Sequence, residues 1–187
     1  MEIIITDLNK EKFQKIYENI IKKNCISTLK KIPKQTNEIT VSNNQIILIH
    51  SDSKIKSCMG CFECWVKTPG KCKIRDGYEN LAKIYSKAEK IIIISKCCYG
   101  SYSPFVKNIL DRSIPYLLPF FKFKNKEMHH LTRYRTKFDL NVCFYGENLT
   151  KSEKETAEKL VKANCINLNV KKFNIDFFGN DEGEHQI

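Results

Sequence analysis

The chain has 187 residues, 42% of them hydrophobic, so it can bury an ordinary core and does not need the disulfide frame of a small secreted scaffold, even with nine cysteines, an odd number. Lysine and arginine outnumber aspartate and glutamate by 32 to 21, a formal charge of +11 that draws in phosphates, anionic cofactors or polynucleotides without choosing among them. Apolar runs such as IIIIS at 91–95 fall far short of the about 20 residues that cross a bilayer, and the start, MEIIITD, has no basic stretch leading into an apolar signal segment. A cytoplasmic protein with reduced or metal-bound cysteines is the expectation.

In chain order, strands are expected at Glu2 to Thr6, Gln45 to His50, Lys90 to Ser95, Leu140 to Tyr145 and Asn167 to Phe173. Between them lie apolar stripes at helical spacing: Phe13, Ile16, Tyr17 and Ile20; Leu81, Ile84 and Tyr85; Phe105, Val106, Ile109 and Leu110. Residues 24–44 read as an extension of the first helix stopped by Pro33, followed by a loop. Thr150 or Ser152 can cap a helix reaching about Val161, with Glu155 at capping-box distance from Ser152. Pro115 to Tyr134 reads as an insertion whose aromatics either face a partner or complete the core. The alternation of strand and helix predicts one α/β domain over residues 1–187, with helices on both faces of a doubly wound sheet.

The densest chemistry lies in Cys58-Met-Gly-Cys61-Phe-Glu-Cys64-Trp-Val-Lys-Thr-Pro-Gly-Lys-Cys72. Such spacing lets four sulfurs converge on one centre, although spacing alone does not separate metal, disulfide and inert thiols. Open parallel sheets place ligands beyond the carboxyl ends of their strands. Three loops qualify there: Thr6 to Asn9, Ser51 to Asp76 and Lys96 to Ser101, which sets the cysteine crossover beside the expected pocket. Tyr99 offers a planar contact, Gly100 close backbone approach, and Ser101 or Ser103 a hydroxyl. Equally, Tyr99 can fill the core and Ser103-Pro104 can simply start a helix.

The cysteine run, continued by Ile74-Arg-Asp76, resembles the crossover of the flavodoxin-like NAD(P)H-dependent FMN reductase superfamily, particularly its iron-sulfur flavoprotein-like branch. Ser95 to Lys107, ending at Asp111-Arg112, looks like that family's flavin-ring loop and following helix, and His129-His130 with Arg133-Tyr134 like a further family segment. The resemblance implies a five-stranded parallel sheet of order 2-1-3-4-5, FMN at the strand ends, and a dimer or tetramer in which a neighbouring subunit helps enclose the ring. It also implies that Cys98, Tyr99, Gly100 and Ser101 flank the isoalloxazine, and that Cys58, Cys61, Cys64 and Cys72 hold a [4Fe-4S] cluster where the cluster-binding branch applies. NAD(P)H or an electron-transfer protein would be the electron donor. The first loop departs from the family: in place of Gly-Ser-Pro-Arg and Gly-Asn-Thr the chain has Thr6-Asp7-Leu8-Asn9-Lys10, where Asp7 repels phosphate. Thr6, Asn9 and Lys10 are the groups left to contact it, or Asn9 caps the first helix.

These readings make an FMN-dependent oxidoreductase or electron-transfer flavoprotein the working expectation, with a cluster that does not survive handling in air. If no cluster forms, the cysteines pack the loop, with Cys61 and Cys64 partly buried. One alternative is a flavodoxin-like structural or regulatory protein without flavin. Another is a nucleic-acid-binding patch of Lys96, Lys107, Arg112, Lys122, Lys124 and Lys126 with Phe120, Phe121 and Phe123.

Overall fold

The computed structural model describes residues 1–9, 11–13, 39–41, 44–124 and 126–179. The expected first-helix stripe at Ile16, Tyr17 and Ile20, the reading of residues 24–38, and Lys10 lie outside the described residues. Among those described, the elements are β1 (Glu2–Thr6), β2 (Ile39–Val41), β3 (Asn44–Ile49), α1 (Glu63–Val66), α2 (Leu81–Tyr85), β4 (Lys90–Lys96) and α3 (Pro104–Arg112). A short 3-10 turn (Ile114–Tyr116), β5 (Leu117–Lys124), β6 (Glu127–Thr132), β7 (Asp139–Tyr145), α4 (Lys151–Asn167) and β8 (Phe173–Phe178) follow.

One six-stranded sheet has the order β2-β3-β1-β4-β7-β8. The five strands from β3 to β8 are parallel, so the expected 2-1-3-4-5 order holds. β2 adds an antiparallel edge, pairing Ile39 with Ile46, inside a stretch read from sequence as loop. A strand of three residues has almost no pattern of its own, and the edge of a formed sheet supplies its partners.

Because β1 and β4 are buried on both faces, their isoleucines divide between two cores. Ile3, Ile5, Ile91 and Ile93 join Val106 and Ile109 of α3 and Ala157, Val161 and Cys165 of α4. Ile4, Ile92 and Ile94 turn the other way, against Leu8, Phe13 and Ile46. Helices α2, α3 and α4 therefore pack on one face; on the other, among the described residues, Phe13 lies in the only helical stretch.

Two boundaries differ from the sequence reading. The last strand is not Asn167 to Phe173: α4 runs through Asn167, and β8 begins where the expected strand ends. Helical burial continues to Cys165 and Leu168, and the helix stops at Asn169, whose φ of 54° is left-handed. There the Val170 N–H donates to the Cys165 carbonyl and the Asn169 N–H to the Ile166 carbonyl, a Schellman closure. The helix start is a capping box on Thr150 and Glu153 rather than Ser152 and Glu155. Among the described residues no helix is long and apolar enough to cross a membrane.

Candidate functional site

The chain between β3 and α2 folds back on itself at residues that favour left-handed backbone. Gly60 (φ 64°) and Phe62 (φ 53°) bend it into the single turn of α1. The Gly70 N–H then donates to the Cys64 carbonyl at 3.0 Å and the Cys72 N–H to the Glu79 carbonyl at 2.9 Å. Gly70 has φ 81°, and a Cβ there would meet Arg133 Cδ at 3.1 Å, so this turn closes tightly on the segment after β6. As a result Cys58, Cys61, Cys64 and Cys72 line one small pocket, backed by Arg112, Ile114 and Pro115. All four are free thiols; Cys64 is buried, Cys58 and Cys72 are half-buried, and Cys61 is exposed, where the loop-packing alternative had it partly buried.

Burial pushes the Cys64 thiol up to about 11, with the neighbouring Cys72, Cys61 and Cys58 adding to the shift. Without a metal this sulfur stays protonated; a bound cation reverses that balance. Among the described residues no three His, Cys, Asp or Glu side chains are set to hold a single metal ion. A [4Fe-4S] cluster asks for something different, because each cysteine ligates its own iron and the sulfurs stand apart around the cluster. Four cysteines around one pocket fit that donor set.

The pocket's inner wall carries a charge. The Arg112 side chain is 0% exposed and its partner Asp76 4%. Arg112 Nη1 donates to Asp76 Oδ2 at 2.8 Å and to the Lys56 carbonyl at 2.6 Å, and Nη2 donates to Asp76 Oδ1 at 3.0 Å. Asp76 also accepts from the Lys56 and Tyr78 amides. Burial works to raise the Asp76 pKa, but the hydrogen bonds from Arg112, Lys56 and Tyr78 outweigh it and hold the carboxyl at about 2. Arg112 Nε is buried with no hydrogen-bond partner. Sequence reasoning missed this pair as part of the site, although one motif segment ended on Asp76 and the other on Arg112. It also placed Arg112 in a nucleic-acid patch; the side chain is buried, and Lys107 of that patch is paired with Asp111.

At the carboxyl edge, the Cys98 and Ser101 amides and carbonyls pair reciprocally at 2.8 and 2.9 Å. Tyr99 (φ 53°) and Gly100 (φ 77°) form the turn between them. Tyr99 is 93% exposed, which rules out core filling and leaves its ring free on a stiff turn. Gly100 makes its close approach to α4: a Cβ there would meet Thr156 Cβ at 2.6 Å. Ser103 starts α3, accepting from the Val106 amide at 3.4 Å ahead of Pro104, and its own N–H donates to Ser95 Oγ at 2.9 Å. None of Cys98 to Ser101 lines the cysteine pocket. The start of the crossover meets the loop after β1, where the Ser51 N–H donates to the Leu8 carbonyl at 3.3 Å; the cysteine pocket lies against Arg112 at the carboxyl end of α3, a helix of nine residues, whereas the Tyr99 turn precedes its start.

The loop after β1 is occupied internally. Thr6 is buried, and its Oγ1 accepts from the Leu8 amide at 3.2 Å. Asn9 Oδ1 accepts from the Lys12 amide at 2.8 Å, the capping role. Asp7 ties three strands together, accepting from the Lys96 amide at 3.0 Å and from the Tyr145 hydroxyl at 3.0 Å. Burial, then the Asp7 charge, raises the Tyr145 pKa and keeps its phenol a donor. A phosphate at this loop would find the Leu8 and Lys12 amides already taken and a carboxylate in its way.

The segment read as an insertion is the β5–β6 hairpin, held to the body by its histidines. His129 contacts Asn167 of α4 at 2.8 Å, while the 2.7 Å contact of His130 with the Leu118 carbonyl lies within the hairpin. The His130 ring packs between Trp65 of the cysteine loop and Phe121, at centroid distances of 5.0 and 4.4 Å. Phe120, Phe121, Phe123 and Met128 remain exposed, as do Met59, Phe62 and Val66 on the cysteine loop.

No family profile matches the chain. Over 76 residues, 41% of the chain, it is 34% identical to an iron-sulfur flavoprotein of Methanocaldococcus jannaschii. Over 80 residues it is 30% identical to an iron-sulfur flavoprotein of Archaeoglobus fulgidus, covering 42% of the chain. These matches span only 38% and 36% of the relatives' own lengths. Among solved structures, an NAD(P)H:quinone oxidoreductase from Methanothermobacter marburgensis superposes with a TM-score of 0.60 at 11% identity, covering 98% of this chain and 85% of that one. An FMN-dependent NADH-azoreductase from Bacillus anthracis, in complex with FMN, gives 0.55 at 12% identity over 95% and 86%. At such identities the structures speak to the fold alone. The chain has a flavodoxin-like fold, and over its matched residues its sequence is similar to iron-sulfur flavoproteins.

Proposed function

We propose that this protein is a flavin-linked oxidoreductase or electron-transfer flavoprotein whose Cys58, Cys61, Cys64 and Cys72 hold a [4Fe-4S] centre. The observation that carries this reading is the gathering of those four side chains around one pocket backed by a buried arginine. When bound, the flavin exchanges electrons with NAD(P)H or a protein donor, and the cluster carries single electrons. The chain's own part is to hold the groups. Tyr99 presents its ring on a stiff turn, Cys98 and Ser101 close that turn, and Ser103 anchors it to Ser95. The names of the curated relatives support the cluster, and those of the structural neighbours support FMN and a nicotinamide donor.

Helix α3 separates the Tyr99 turn from the cysteine pocket within one chain, which favours a homodimer or larger assembly in which a second copy brings the two together. The exposed Phe120, Phe121, Phe123 and Met128, continuous through His130 and Trp65 with the cysteine loop, are the surface proposed for that contact. The free thiols of Cys58, Cys61, Cys64 and Cys72 suit a reducing, cytoplasmic setting.

A second reading, a flavodoxin-like scaffold that binds no flavin, is favoured by the Asp7 tie across the phosphate position. One experiment separates the two. Protein reconstituted anaerobically with iron and sulfide, incubated with FMN and passed through gel filtration, is expected to carry a reducible cluster with an electron paramagnetic resonance signal and to retain yellow flavin. Loss of the cluster on Cys61→Ala supports the assignment. Absence of both groups in the parent chain leaves the scaffold reading.

A further inference from the structure

We infer that Arg112 sets the potential of the cysteine centre: its buried guanidinium, anchored by Asp76, holds positive charge and an N–H donor against the sulfur ligands. The inference rests on the cluster reading above and adds a residue from outside the cysteine motif to that site.

Asp76 and the Lys56 carbonyl engage both terminal nitrogens of Arg112, which locks the plane of the guanidinium. That arrangement leaves Nε–H buried and unpartnered on a side chain that lines the same pocket as the four cysteines. The Cys72 side chain lies close enough to interact with the guanidinium electrostatically and to share a hydrogen bond with it. A buried donor with no oxygen or nitrogen acceptor is costly, and a thiolate ligand or cluster sulfide offers Nε–H a charged sulfur acceptor. A purely structural brace does not require that placement, since buried ion pairs often stabilise no more than an apolar filling of the same volume. Hydrogen bonds to sulfur and local charge are the established protein levers on cluster potential.

The sign follows from charge. Reduction adds an electron to a centre already surrounded by thiolates, so a cation in its wall favours the reduced form and raises the midpoint potential. Removing Arg112 lowers the potential. Removing the Asp76 charge while keeping Arg112 raises it.

The test uses the full chain, anaerobically reconstituted with iron and sulfide, as parent, Arg112→Lys, Arg112→Met and Asp76→Asn. Iron and sulfide content is measured first, and then the midpoint potential at one pH by titration monitored with electron paramagnetic resonance. Arg112→Met is expected to shift the reduced-to-oxidised ratio at least tenfold toward oxidised, 59 mV for one electron. Arg112→Lys keeps the charge and loses the Nε donor, so it should shift the same way by less. Asp76→Asn should shift oppositely. If Arg112→Met does not fold or load, Arg112→Lys against Asp76→Asn decides the matter. Loaded variants that keep the parent potential, or that all shift in one direction, overturn the inference and leave Arg112 as a brace. A parent that takes up no cluster overturns the cluster reading itself.

Discussion

Arg112 and Asp76 are the residues whose loss the fold should feel most. Both side chains are almost fully buried and make a two-pronged contact. Truncating one partner strands the other's charge, so Arg112→Met is expected to cost about 3–5 kcal/mol in urea unfolding. The pair also sets a pH signature. The Asp76 pKa is lowered from 3.8 to about 2, so the carboxylate's contribution is complete above about pH 4 and is lost as pH falls through about 2. The stability gap between the parent chain and Asp76→Asn should narrow across that window; a gap constant from pH 5 to pH 2 would show that the pair does not titrate this way. Gly100 gives a second prediction. An alanine there meets Thr156 at 2.6 Å in a left-handed backbone, so Gly100→Ala should cost about 2–4 kcal/mol, combining overpacking with the αL penalty.

Among the elements, α4 is the one whose start is most cleanly encoded. Thr150 Oγ1 accepts from the Glu153 amide at 3.2 Å and the Glu153 carboxylate accepts from the Thr150 amide at 3.0 Å. Thr150→Ala should therefore lower thermal stability by about 1 kcal/mol, and Ser152→Ala by much less, because Ser152 lies inside the helix. Its carboxyl end was harder to read. Cys165 and Leu168 continue the buried stripe, while Asn167-Leu-Asn-Val resembles a strand until the left-handed Asn169 is known. The β5–β6 hairpin was also hidden, since Phe120 and Phe121 are adjacent and both exposed, which breaks the alternation that marks a strand.

For the whole molecule, the exposed aromatic surface of the hairpin is the feature a lone chain would leave in water. Light scattering at micromolar concentration should find a dimer or larger assembly, and the double substitution of Phe123→Glu and Met128→Glu should shift it toward monomer while the thermal transition of the sheet persists. A parent chain that is monomeric would remove the shared-site arrangement and leave the Tyr99 turn and the cysteine pocket separated by α3.

The parallel α/β class and the clustering of Cys58, Cys61, Cys64 and Cys72 were legible from the residues themselves, and the strand order only through the family resemblance. Isoleucine runs buried on both faces report a parallel sheet locally, and ligands within one short loop need only that loop to fold. The partner of Arg112, the exposure of Tyr99 and the occupation of the phosphate position were not legible, because each depends on groups brought together from distant positions. Asp76 and Arg112 lie 36 residues apart, and Asp7 and Tyr145 lie 138 apart. The fold arises from periodic patterns that every strand and helix carries for itself, whereas the character of the site arises from single charges that meet only once the sheet has formed.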